Sequence, residues 1–291
     1  VAVYGIASAI LFAVLMGVAS IFSRRGMEQA SFFALLVVSL VVASPIFLAI
    51  TFLTTGFANA PFDAIVLAAA GAVAGSVLGR SLYFLGINYL GPGKSLSINS
   101  TSPLYAALLA WVVLEESITG FVIVGTIGIV LGIVTLSRDV RTQTNQEDHS
   151  LLVALFPLVG AIFAAVAVTL RKMALSAGLV PIEAATVNFT MGLVVVAPFM
   201  ATSWRDSIVE IDREPLKNFV IASCLMTGAF VFYFVGLELT NASIFFPLIQ
   251  TQPLMAVILS AIFLRDLEVI SQWTALGSAI IVAVAALVVI G

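Results

Sequence analysis

The sequence predicts an all-α integral membrane protein, with ten transmembrane helices arranged as two inverted five-helix repeats. Three observations carry that prediction. Apolar residues make up 62% of the chain and charged residues only 9%, where a soluble globular domain carries about a quarter. The apolar residues gather into ten runs, each long enough to cross a hydrocarbon layer about 30 Å thick. A shift of 150 residues, the separation of Thr101 from Thr251, lays Tyr83, Phe84, Gly86, Thr101, Pro103, Leu104 and Ala106 on Tyr233, Phe234, Gly236, Thr251, Pro253, Leu254 and Ala256 without a gap. The chain is built twice, and 291 residues leave no room for a large soluble domain beside ten spans. The net charge of -3 falls in the loops, so no nucleic-acid surface is expected.

Spans 1 to 5 are the runs Tyr4–Phe22, Ser31–Leu53, Ala64–Leu90, Ser95–Leu114 and Thr119–Leu136. Spans 6 to 10 are Leu151–Leu170, Glu183–Thr202, Leu216–Thr240, Ser243–Leu264 and Gln272–Ile290. Span 1 has no basic stretch before it and no clear cleavage site after it, so it reads as a retained span rather than a signal peptide. Arg24-Arg25 after span 1 answers Arg171-Lys172 after span 6, and Pro45 late in span 2 answers Pro198 late in span 7. Residues 1–137 form the first repeat and 151–291 the second, joined by the polar linker 138–150. A second charged loop, Trp204–Lys217, separates spans 7 and 8. Five is an odd number, so the second repeat enters the membrane upside down relative to the first. That architecture recurs in secondary transporters, whose solute site lies near the midplane where the halves meet. Most lysines and arginines fall on the loops between spans 1–2, 3–4, 5–6, 7–8 and 9–10. The positive-inside rule would put those loops in the cytoplasm and both termini outside.

One cysteine, Cys224, and one histidine, His149, exclude an internal disulfide and argue against a zinc or haem site. Cys224 reads as a small apolar core residue, and His149 lies in the linker. The doubled Thr-x-Pro-Leu box is more informative, because a proline and polar groups inside a span are costly there. On a continuous helix Ser95, Asn99, Ser102 and Ala106 share one face, with Thr101 and Tyr105 beside it. On span 9 the related stripe is Phe245, Ile249, Gln252 and Ala256, flanked by Thr251. Pro103 and Pro253 are expected to break their helices and free the carbonyls of Asn99 and Ile249. These groups either line a cavity or hold helices together by hydrogen bonds.

Arg80 is the one charge read as lying well inside a span, on a face with Ser76 and Tyr83. Its planar fork of donors suits a carboxylate or phosphate; the alternative is a structural tether to carbonyls or to Glu238. Gly71, Gly75 and Gly79, like Gly128 and Gly132, have the spacing that permits close helix contact. Lys94 opens span 4 and reads chiefly as an interfacial lysine. Trp111, Tyr89 and Trp273 near span ends read as interface anchors.

The strings Ser100-Thr-Ser-Pro-Leu-Tyr-Ala-Ala-Leu-Leu-Ala-Trp-Val-Val-Leu-Glu-Glu116 and Gln250-Thr-Gln-Pro-Leu-Met-Ala-Val-Ile-Leu-Ser-Ala-Ile-Phe-Leu-Arg-Asp266 resemble the EamA-like family of the drug/metabolite transporter superfamily. The resemblance extends over essentially the whole chain. It implies two inverted halves around a central cavity, carriage of small metabolites by alternating access, and both termini in the cytoplasm, against the charge count. The family usually has Gly-Glu after the leucine that closes span 4 or 9. This sequence has Glu115-Glu116 and Arg265-Asp266, which keep the acid and lose the glycine. Small multidrug members of the superfamily carry a glutamate in their first span; spans 1 and 6 here contain no acid, which disfavours exchange of protons for cationic drugs.

The expected function is therefore a secondary transporter of a small amino acid, organic acid or similar anionic or zwitterionic metabolite. The candidate solute-binding residues are Arg80, Tyr83, Asn99, Thr101, Ser102, Tyr105, Tyr233, Gln250, Thr251 and Gln252, with helix breaks at Pro103 and Pro253. Two other readings are a membrane-embedded enzyme, for which the spans offer no convincing His, Cys or carboxylate cluster, and a non-transporting scaffold. Expected partners are a small-molecule solute and the lipid bilayer, with no nucleic acid and no cofactor, in a monomer or weak homodimer of the cell membrane.

Overall fold

The structure is a computed structural model that describes residues 2–90, 95, 98–136, 151–201, 211–252, 254–255, 258 and 272–290. Among the described residues helices are joined by short turns, and no strand occurs. A hydrocarbon solvent dictates this, because each segment must satisfy its own backbone hydrogen bonds. The first half contains α1 (Ala2–Met27) and α2 (Phe32–Thr54), with Ser31 capping α2 by accepting from the Ala34 N–H. Span 3 is a single rod in three parts: α3 (Phe62–Ala72), a wide-turn segment (Val73–Gly79) and α4 (Arg80–Leu90). Next come α5 (Ser102–Val113) and α6 (Gly120–Leu136). The second half holds α7 (Leu151–Ser176), α8 (Pro181–Ala201), α9 (Arg213–Leu239), α10 (Ala242–Ile249) and α11 (Gln272–Ile290).

Six helices among the described residues are long and apolar enough to cross a membrane, while α5 and most of α6 form shorter apolar helices. Large apolar side chains such as Leu53, Phe62, Trp111, Leu131 and Val194 face outward, the surface a lipid-facing bundle requires. Much of span 9 after α10 lies outside the described residues, as do Lys94, the linker with His149, Pro253, Ala256 and Arg265-Asp266.

The helices pack as a twofold axis between the halves demands. Spans 1 and 8 pair as α1 with α9, and their counterparts 6 and 3 pair as α7 with α3 and α4. The pair α2 with α9 is answered by α8 with α3, and α1 with α10 by α7 with α5. Spans 2 and 7, 4 and 9, and 5 and 10 each pack against their own counterparts, which is where an axis must pass. This packing fits an inverted repeat.

Two sequence expectations change. Helix α7 continues well past Leu170 to Ser176, so Arg171 and Lys172 are helix residues and not loop charges. Cys224 is exposed on α9, not buried in the core; a small, weakly polar side chain is acceptable on either face, so its type did not decide its position.

Close approach between the fifth and tenth spans depends on the glycines of α6. A Cβ on Gly128 would lie 2.5 Å from Cγ1 of Val284, and one on Gly132 2.5 Å from Cγ1 of Ile281. By contrast, a Cβ on Gly228 meets nothing within 4 Å. Gly128→Val should therefore lower unfolding stability by about 1–3 kcal/mol through overpacking, whereas Gly228→Ala leaves it unchanged or slightly raised. Unfolding midpoints of the purified variants in detergent check both.

Candidate functional site

The two polar boxes form matched helix breaks that meet at the interface of the halves. In span 4 the helix stops at Asn99, turns at Ser100–Thr101 and restarts at Ser102; in span 9 it turns at Gln250–Thr251. Thr101 N–H and Oγ1–H both donate to the Ile98 carbonyl, at 3.1 and 2.7 Å, and Thr251 treats the Leu248 carbonyl identically, at 3.1 and 2.7 Å. Each threonine thus supplies what its broken helix lacks. Gln250 Nε2 donates to Ser102 Oγ at 3.3 Å, joining one break to the other.

Pro103 stands in the first turn of α5. It opens a helix, where a missing N–H costs nothing, and does not interrupt one. The sequence-predicted stripe of Ser95, Asn99, Ser102 and Ala106 is therefore no single helical face. Ser102 and Thr251 are buried, while Asn99, Thr101, Tyr105, Gln250 and Gln252 are partly exposed. The threonine hydroxyls serve their own backbones, and the amides and Tyr105 are left nearer to open space.

A second polar centre was not legible as such. Arg171, on α7, is 8% exposed. Its Nη2 donates to Asn188 Oδ1 of α8 at 2.8 Å and to the Gly71 carbonyl of α3 at 3.5 Å, and Nη1 donates to Tyr233 Oη of α9 at 3.3 Å. The guanidinium also lies 5.6 Å from the centre of the Tyr233 ring, within cation–π range. Every one of these acceptors is neutral. Among the described residues the buried Nε–H has no partner, an omission that costs about 1–3 kcal/mol or more for a charged group. Gly71 and Gly75 make the space, since a Cβ on Gly75 would stand 3.1 Å from Nη2. Tyr233 therefore holds Arg171 in place, a role different from direct cavity lining.

Arg80 follows directly on the wide-turn segment. Its N–H donates to the Gly75 carbonyl, five residues back, as well as to that of Val77; such widened turns concentrate at functional sites because they re-aim the next residues. Arg80 is partly buried and stands about 15 Å from the end of α4. Among the described residues no hydrogen bond or carboxylate holds its guanidinium, so the tether to Glu238 is not made. The expectation that it was the lone charge within a span is corrected by Arg171, which lies within electrostatic reach of it. The shift of 150 residues puts Phe230 at the matching position, and Phe230 packs edge-on against Phe12 and Phe189, at 5.7 and 4.9 Å between ring centres. A charge at this position is not required by the fold. Tyr83, one turn further on, is partly buried.

At one face, a latch forms at the ends of α9 and α10, and its Glu116 joins the two halves. Glu116, after α5, accepts from the Ala242 N–H (2.7 Å), the Ser243 N–H (2.9 Å) and the Ser243 hydroxyl (2.7 Å), covering the N-terminus of α10. Lys172 donates to the carbonyls of Leu237 (2.6 Å), Glu238 (3.2 Å) and Thr240 (2.8 Å), covering the C-terminus of α9. Between them lies a recess of about 510 Å³ that Leu67, Met173, Ser176 and Asn241 also line. Glu115 has φ +54°, the left-handed conformation that glycine adopts freely. The acid is kept at its post while the residue before it bears the strain.

A family model described as the EamA-like transporter family matches residues 3–138 and again residues 151–290. The chain belongs to this family. Both repeats are matched separately, in agreement with the paired breaks and the twofold packing, and the protein is an integral multi-pass membrane protein of a transporter family. One solved structure, described only as the crystal structure of a protein, is 14% identical over 98% of this chain and 94% of its own, with a TM-score of 0.74; at that identity the likeness concerns the fold alone. No curated protein matches the sequence. In this EamA-like chain, Glu115→Gly should raise unfolding stability by about 1 kcal/mol by relieving the left-handed strain. Glu116→Ala should lower it by about 1–3 kcal/mol, because three donors lose their acceptor. Hydrogen exchange at Ala242 and Ser243 should accelerate in the second variant and not in the first.

Proposed function

We propose that this EamA-like protein carries a small anionic or zwitterionic metabolite, such as an amino acid or organic acid, by alternating access through a central cavity between its halves. It does so as a monomer or weak homodimer of the cell membrane, without a cofactor. The observation that carries the reading is Arg80: a guanidinium deep in a span, aimed by a widened turn, held by no described partner, and answered by phenylalanine in the other half. A permanent positive charge at that depth costs roughly 2.5–3.5 kcal/mol on insertion scales. A protein that needed no anion there could carry phenylalanine, as its own second half does. In this reading Asn99, Gln250 and Gln252 at the two breaks, with Tyr83 and Tyr105, supply neutral hydrogen bonds to the same solute.

The latch of Glu116 and Lys172 supports alternating access. It fastens the ends of α9 and α10 at one face with charge-assisted bonds that can be exchanged for water, and opening there requires only that the loop after α5 part from α10. The polar breaks then act as the hinge zone, because backbone already supported by side chains bends more readily than unbroken helix.

Reconstitution into liposomes tests the reading. Wild-type protein should accumulate or exchange a labelled amino acid or organic acid from a screened panel. Arg80→Gln should reduce initial uptake at least about tenfold, and Arg80→Lys, which keeps the charge but not the fork, should reduce it less. Uptake by folded Arg80→Gln with unchanged apparent affinity would contradict the role given to Arg80.

A further inference from the structure

Arg171 is a buried cation on α7. Its matched residue under the Arg24-Arg25 correspondence is Arg24, which is exposed, so the repeat does not require a buried cation here. Three of its neighbours hold it through neutral atoms, on Tyr233, Asn188 and the Gly71 carbonyl, and such acceptors orient a guanidinium without cancelling its charge. The Nε–H is buried and has no hydrogen-bond partner among the described residues. A Cβ on Gly75, in the wide-turn segment, would meet the same guanidinium, and the Gly75 carbonyl is one of the two acceptors of the Arg80 N–H. One widened turn therefore separates the residue that packs on Arg171 from the residue that carries the second charge. Two cations brought together in a low-dielectric interior repel each other, and among the described residues neither is bonded to an acid. A ligand with two negative charges removes both the repulsion and the unpaired donor at once, while a ligand with one leaves a net positive charge behind.

We propose that Arg171 and Arg80 together form a binding site for a small solute bearing two negative charges, a dicarboxylate or a phosphate monoester, one oxyanion of which seats on the Nε–H of Arg171. This inference rests on the carrier reading and narrows it: Arg171 is the fixed half of the site, clamped from three helices, and Arg80 is the half free to close on the solute.

The test uses the full-length protein in detergent at constant ionic strength, with unfolding followed against succinate, inorganic phosphate, acetate and alanine, and the same four compounds as competitors of uptake in liposomes. Succinate or phosphate should raise the unfolding midpoint and block uptake at concentrations at least about tenfold below those of acetate or alanine. Which of the two is stronger separates a pair of carboxylates from a single phosphoryl group, and either supports the site. Arg171→Gln should bring dianion and monoanion within about threefold of each other, and Arg171→Lys should retain part of the preference. If wild-type protein takes acetate or alanine as well as the dianions in an Arg80-dependent manner, the carrier reading stands and the two-charge site falls. If none of the four acts and no metabolite is taken up, both fall. The comparison among ligands is made on wild-type protein, so a variant that fails to fold does not prevent the decision.

Discussion

The interior of this bundle depends on keeping one guanidinium out of water. A buried ion costs several kcal/mol even after relaxation, and Arg171 recovers part of that through Asn188 of α8, Tyr233 of α9 and a backbone carbonyl of α3. Other local features follow from this. Span 3 must be small where the guanidinium passes, hence Gly71 and Gly75. Below that point the rod widens by one residue per turn over Val73–Gly79, and the widening delivers Arg80 to the same neighbourhood. Phe230, at the position that matches Arg80, packs instead against Phe12 and Phe189 and brings no charge.

The two halves agree in their breaks and differ in their charges. The breaks at Thr101 and Thr251 are nearly superposable in their bonding, and they do the architectural work of ending one helix and starting another at the axis. The departures are Arg80 against Phe230 and buried Arg171 against exposed Arg24. Strain at Glu115 belongs to the same class of feature. A residue forced to positive φ costs about 1–2 kcal/mol, and here it sets the acid of Glu116 on the N-terminus of α10.

Much of the fold was legible because membrane spans are local: length, apolarity and a fixed shift of 150 residues need no tertiary information. The Thr-x-Pro-Leu boxes were legible as matched interruptions for the same reason, and the structure brings them into contact through Gln250 and Ser102. What escaped was set by packing. Arg171-Lys172 looked like the end of an apolar run, since a charge ordinarily marks the water boundary; only Asn188, Tyr233 and the glycines of α3, all distant in sequence, make a helix through that point tolerable. Pro103 looked like a fault within a helix, because the stop at Ser100 that turns it into a helix start comes from Thr101 hydrogen bonding. The widened turn before Arg80 has no composition of its own that distinguishes it from ordinary helix. Tyr233 was chosen as a solute contact on its match to Tyr83, yet its hydroxyl serves Arg171.

The account holds that the two arginines are left unneutralised by protein so that a solute anion can neutralise them. An experimental structure of the protein in a lipid environment, with and without succinate, tests this most directly. The account predicts a solute oxygen within about 3.2 Å of Arg171 Nε, with the Arg80 guanidinium turned toward the same molecule. A protein carboxylate found bonded to either arginine, or Arg80 directed into lipid with succinate bound elsewhere, would contradict it.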